Sequence, residues 1–127
     1  MTEYGFRDNK ITAQTTGIVT IPMSFESGEQ TATKIYFPFK ARIDKIRSIV
    51  MAAIAGTDDG TITGANANGN SANGVVTVAA SSAVNTEDSA TPTSNNVVEA
   101  GSYYKLTTAK STAGGKVLVT LEFTRIA

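Results

Sequence analysis

The stretch VVEAGSYYKLTTAKSTAGGKVLVTLEFTRI, residues 97–126, holds the clearest structural pattern in the chain. Two alternating segments flank AKSTAGG, and alternation with a period of two is typical of a strand with one buried face. Gly114 and Gly115 adopt positive φ at little cost, which predicts a turn between the two strands. The faces predicted for the final strand are Val117, Val119, Leu121 and Phe123 on one side, and Leu118, Thr120, Glu122 and Thr124 on the other.

Similar segments recur toward the N-terminus. TTGIVTIPMSF alternates, and its Pro22 indicates an edge strand or a bulge. ATKIYFPFKA, a short strand at 60–64 and NGVVTVAAS are β-branched or aromatic segments bounded by turn signals. Residues 81–98 are polar and turn-rich, which predicts a long excursion that carries contacts. These segments predict an all-β domain of seven to eight short antiparallel strands, a sandwich or a barrel.

Residues 41–55 leave two interpretations open. Ile43, Ile46 and Val50 are spaced by three and four residues, as on an amphipathic helix. Ile49 and Met51 instead begin an alternation that suits a strand. No N-cap residue precedes the segment and predicted strands lie on both sides, so the sequence favours a strand, with a helix as the alternative.

Composition bounds the function. The chain has 127 residues, a net charge of zero, and neither Cys, His nor Trp. The absence of Cys excludes a disulfide framework and a thiolate metal site. The absence of His removes the commonest general base. No apolar run approaches the ~18 residues of a membrane span, so no membrane partner is expected. The predicted organisation is an N-terminal arm, residues 1–14, and a single domain, residues 15–127.

Residues with catalytic potential do not assemble into an active site in the sequence. Ser111 adjoins Lys110, and Ser102 stands near Lys105, but a lysine beside a turn is expected to stay solvated and charged. The adjacent carboxylates Asp58–Asp59 and Glu87–Asp88 point to opposite faces of a strand. TDDGTITGANANGN lacks the spacing of an EF-hand calcium loop. We expect no enzyme activity, no cofactor and no metal.

Two groups of residues are candidate contacts with a partner. The arm carries Tyr4, Phe6 and Arg7 in an otherwise unpatterned segment, so we expect it to lie along a neighbouring subunit. A basic run follows the aromatic strand and is expected to meet an acidic surface of a larger partner protein or of another subunit. Its residues are Lys40, Arg42, Lys45 and Arg47. Phe37 and Phe39 share a side with Ile35, which favours core packing over base stacking, and no nucleic-acid partner is expected.

From about residue 15 to 126, the order of strands and turns resembles small decoration (cement) proteins of tailed-bacteriophage heads. The resemblance lies in GIVTIPMSF, in ATKIYFPFKARIDKIRSIVMAAIAGTDDGTIT, in GVVTVAASSA and in the quoted C-terminal stretch. It implies a jelly-roll β-sandwich, usually trimeric, on the outer surface of the capsid. The implied function is a structural virion protein that is assembled in the host cytoplasm and stabilises the head by bridging major capsid subunits.

The alternative is a module on a phage fibre or surface that binds a receptor or a cell-surface glycan. Such a site needs an exposed aromatic side chain to stack on a sugar. Tyr103 and Tyr104 are candidates, but neighbouring strand residues point to opposite faces, so only one of them can serve.

Overall fold

The computed structural model describes residues 15–29, 31–69 and 74–126, and in these ranges the chain forms nine strands and no helix. No segment there is therefore a helix long and apolar enough to cross a membrane. The strands are β1 (Thr15–Ser24), β2 (Ala32–Phe37), β3 (Ala41–Ala52), β4 (Gly60–Asn66), β5 (Val75–Val78), β6 (Glu87–Ala90), β7 (Val97–Val98), β8 (Ser102–Ala109) and β9 (Lys116–Arg125).

The strands form two antiparallel sheets. The first sheet has the order β1-β9-β3-β6, and the two-residue strand β7 pairs with the start of β3. The second sheet has the order β2-β8-β4-β5. Two four-strand layers between which the chain crosses repeatedly are the topology of a jelly roll. The predicted all-β, jelly-roll-like sandwich is confirmed, with β7 as an addition to the predicted seven to eight strands.

The core lies between the sheets and follows from the alternation along each strand. Of the two predicted faces of β9, the one with Val117, Val119, Leu121 and Phe123 is the inner face, since the first three are fully buried and Phe123 packs against the core. From the second sheet, Phe37 meets the Phe123 ring edge to face at a centroid distance of 5.1 Å. Burial of this apolar surface is the main favourable term in the folding of the domain.

Strand β3 resolves the ambiguous segment as a strand and explains why its spacing looked helical. Its pairing with β9 shifts register between Glu122 and Phe123, so β3 carries an extra residue at this point. Such a bulge moves successive inward residues from a spacing of two to a spacing of three, here from Ile43 to Ile46. In the alternation that suited a strand, Val50 is the buried residue and Met51 the exposed one.

The polar segment 81–98 is not only a loop. Its residues Glu87–Ala90 form β6 and pair with β3 at the edge of the first sheet. Asn96 extends this anchoring, because its side-chain amide donates to the carbonyl of Ile43 over 3.1 Å. The predicted excursion therefore contributes backbone pairing to the sandwich, a role that its composition did not indicate.

Candidate functional site

The turn between β8 and β9 is fixed on both sides by backbone hydrogen bonds. The Phe25 N–H donates to the Gly115 carbonyl over 2.9 Å, and the Ala55 N–H donates to the Gly114 carbonyl over 3.0 Å. The two glycines have φ of 142° and 123°, as the sequence predicted for this turn. AKSTAGG is therefore held against the segments around residues 25 and 55 and is not an open loop.

An ion pair between a buried lysine and a partly exposed aspartate fastens the start of the same turn. The Lys110 side chain is 0% exposed, and its ammonium donates to the Asp58 carboxylate over 2.9 Å and to the Asp58 carbonyl over 2.6 Å. The backbone N–H groups of Ser111 and Thr112 donate to the same carboxylate. These bonds hold the pKa of Asp58 far below its ordinary value, chiefly through Lys110 and against the opposing effect of burial. The group is a clamp between two loops.

The clamp corrects one expectation about Lys110. The sequence predicted a solvated lysine, but the side chain is buried because Asp58 and the turn enclose it. Its ammonium is committed to Asp58, so it is not a base for the neighbouring Ser111. At the other suspected pair, Ser102 and Lys105 are three residues apart on β8 and so face opposite sides of the sheet.

The paired carboxylates also diverge, as expected. Asp58 faces Lys110, whereas Asp59 accepts a hydrogen bond from the Ala80 N–H over 2.9 Å. Glu87 and Asp88 alternate along β6, with Glu87 exposed and Asp88 half-buried. Among the residues that the structure describes, no three acidic side chains converge on one point as a metal site would require.

The basic run is largely neutralised by acids of the same chain. Arg42 pairs with Asp44 over 2.8 Å, Arg47 pairs with Glu122 across to β9, and Lys40 lies 3.9 Å from Glu99. Within the described ranges, Lys45 has no ion-pair partner. Exposed pairs of this kind are weak, so the run remains accessible to a partner but does not form a continuous cationic patch. Its predicted contact role stays a prediction.

The arm residues Tyr4, Phe6 and Arg7 lie outside the residues that the structure describes. Their expected contact with a neighbouring subunit stays a prediction.

A second cationic group lies on the outer face of the second sheet. Lys34 and Lys105 are opposite each other in the β2–β8 register, and Tyr36 is opposite Tyr103. The Lys34 ammonium sits 4.6 Å from the centre of the Tyr103 ring, a cation–π contact. We name these four residues the lysine–tyrosine face. The strands β2, β4, β5 and β8 contain no Asp or Glu, so the sheet itself supplies no counter-charge.

This face is the candidate functional site because it has an unfavourable feature that a partner would relieve. Like charges directly opposite each other on a sheet destabilise it. Tyr36 is 65% exposed, although a tyrosine ring gains free energy from burial. Together the lysines and tyrosines form a cationic and aromatic surface suited to an acidic protein surface. Sequence reasoning missed it because Lys34 and Lys105 come together only through strand pairing.

The two tyrosines of β8 separate as the alternation predicted. Tyr104 is fully buried, and burial raises its pKa to about 12. Tyr103 points outward and lies beside Tyr36. Of the two glycan-binding candidates named from the sequence, only Tyr103 therefore reaches the surface, and the more exposed ring beside it is Tyr36.

No family model and no curated protein matches the chain. Among solved structures, the chain is similar to one from the cyanophage Pam1 capsid asymmetric unit, with 9% identity, a TM-score of 0.48 and full coverage of both chains. It is also similar to a chain from Bacillus endospore appendages described as disulfide-linked pili. That likeness has 18% identity and a TM-score of 0.43, and covers 98% of this chain and 99% of the other. Scores this low do not assign the chain to a family.

Proposed function

We propose that this chain is a structural protein of a bacteriophage virion that decorates the outer surface of the head by bridging major capsid subunits. The observation that carries the proposal is the lysine–tyrosine face, a surface with two opposed cations, two aromatic rings and no acid in the strands of its own sheet. The sandwich fold and the strand order that resembles small decoration proteins support the same role. Assembly would take place in the host cytoplasm.

The attachment would combine charge and avidity. An acidic capsid surface beneath Lys34 and Lys105 removes their mutual repulsion and adds electrostatic attraction. A hydrogen bond contributes only ~1 kcal/mol net, so one small face binds weakly. In a homotrimer, which we favour, the second and third contacts become intramolecular and raise the overall affinity by a factor of ~10²–10⁴.

Charge reversal at the face should weaken attachment. We expect Lys34→Glu with Lys105→Glu to lower the affinity for phage heads lacking the protein by about tenfold or more at low salt. The measurement is co-sedimentation of the labelled chain with such heads over a range of concentrations. Wild-type binding should also fall as salt rises, because exposed charges are screened.

The matched control is Lys40→Glu with Lys45→Glu, which makes the same charge change in the basic run. In this proposal the basic run would contact another subunit and not the head, so we expect head binding within about twofold of wild type for this control. If only this control lost affinity for heads, the docking surface would be the basic run and not the lysine–tyrosine face. Wild-type protein that does not bind heads at all would refute the decoration role.

The alternative function, a receptor- or glycan-binding module, rests on the exposed ring of Tyr36. Tyr36→Ala would then abolish binding to host cells or to their surface glycans while the two lysine substitutions leave it unchanged. If the chain is a decoration protein, the two lysine substitutions should weaken attachment to heads more than Tyr36→Ala does.

A further inference from the structure

Strand β1 is the long edge of the first sheet. It pairs with β9 over its whole length, Thr15 to Ser24, without a shift in register. No other strand in the described part of the chain lies along its outer side. Protein edges are normally protected by short strands, charges, prolines or bulges, because an unprotected edge invites another strand.

The other edges carry such protection and β1 largely does not. Strand β6 has four residues including Glu87 and Asp88, β5 has four residues, and β2 has Lys34 in its middle. Strand β1 has ten residues, TTGIVTIPMS, with no charge. Its one protective residue is Pro22, which offers no N–H group to a neighbour.

We propose that two copies of this chain pair antiparallel through residues 15–21 of β1, about a twofold axis at Ile18. Ile18 is the midpoint of the stretch that precedes Pro22, so a symmetric pairing sets it opposite the partner's Ile18. It is 67% exposed, the highest value among the large hydrophobic residues that the structure describes. The pairing would bury it against an identical side chain.

The rest of the stretch is self-complementary in this register. Thr16 meets the partner's Thr20 on the outer face, and paired threonines are favourable neighbours. On the inner face, Val19 and Ile21 are only partly buried at the edge of the core, and a second copy would cover them further. An uncharged strand also has no feature that would select a charged partner, which favours a second copy as the occupant.

This contact is separate from the proposed attachment to the head. It uses the edge of the first sheet, whereas the lysine–tyrosine face lies on the outside of the second sheet. A twofold contact joins two subunits alone or two neighbouring trimers. Its test in purified protein does not depend on the proposed decoration role.

The absence of cysteine makes the register testable by single substitutions in the full chain. Opposed residues of antiparallel strands have Cα atoms ~4.5–5.5 Å apart, within the range that a disulfide spans. Under mild oxidation we expect Ile18→Cys to form a covalent dimer about tenfold faster than Met51→Cys, an exposed control on β3, two strands in from the edge and outside residues 15–21. Equal rates would overturn the proposal.

Two further variants fix the register. A mixture of Thr16→Cys and Thr20→Cys should form the mixed dimer, whereas either variant alone should crosslink no faster than Met51→Cys, because its cysteines lie too far apart. Thr16→Cys crosslinking with itself would contradict this register.

A second measurement uses charged substitutions at Ile18 and needs no disulfide. Ile18→Lys and Ile18→Glu should each raise the dimer dissociation constant about tenfold by sedimentation, and mixing the two should restore association. Failure of the mixture to associate better than either variant, with both folded by circular dichroism, would refute pairing at Ile18.

Discussion

Replacing Phe37 by alanine is expected to lower the free energy of unfolding by about 4 kcal/mol. Phe37 is only 2% exposed and lies between the sheets, where its ring packs edge to face against Phe39 and Phe123. The substitution removes this apolar surface and leaves a cavity in a part of the core that three aromatic rings fill. Urea denaturation followed by circular dichroism measures the loss, which corresponds to a fall in melting temperature of roughly 10–15 °C.

The control for this prediction is the next residue along the same strand. Tyr36 has its side chain on the outer face, so Tyr36→Ala should cost about 1 kcal/mol or less. Equal losses at positions 36 and 37 would show that the assignment of the two faces of β2 is wrong.

Asp58→Asn should destabilise the domain strongly at neutral pH. Both carboxylate oxygens accept hydrogen bonds, from Lys110 and from the N–H groups of Ser111 and Thr112. An amide replaces one acceptor with a donor and leaves the buried Lys110 ammonium without a counter-charge, which is unfavourable in a buried pair. Thermal unfolding at pH 7 should show a melting temperature lower by several degrees.

The same substitution should change the response to acid. Because the pKa of Asp58 is lowered in the folded state, its stabilisation is complete above its unfolded pKa of about 4. That stabilisation is lost as the pH falls below about 4, so the difference between wild type and Asp58→Asn should shrink there.

Asp59→Asn is the matched control, since an amide oxygen can still accept from the Ala80 N–H. The melting temperature of Asp59→Asn should be close to that of wild type at pH 7. In acid this variant should lose as much stability as wild type does. An acid response of Asp58→Asn identical to that of wild type would show that the clamp does not contribute to stability.

Local alternation was enough to predict much of the fold. The faces of β9 follow directly from the period of two, and the turn at Gly114 and Gly115 follows from their conformational freedom. Strand β3 was harder, because its bulge produces the three-residue step that also marks a helix. Strand β6 was missed because its sequence, EDSA, carries no apolar pattern, and pairing with β3 alone makes it a strand.

The candidate site was less accessible to sequence reasoning, for a physical reason. Clustering along the chain drew attention to the run at residues 40–47, yet Lys40 and Arg47 meet acids that the fold brings close, Glu99 and Glu122. Lys34 and Lys105 are far apart in sequence and become neighbours through the β2–β8 register. The burial of Lys110 likewise depends on Asp58, which comes from a different loop. Each of these features is set by long-range pairing.

The most direct test of the decoration role is immunogold electron microscopy of phage particles from the source lysate, with antibody raised against the recombinant chain. The account predicts gold distributed over the outer surface of the heads. Gold confined to tails or fibres would favour the receptor-binding alternative, and particles without any label would contradict a virion role.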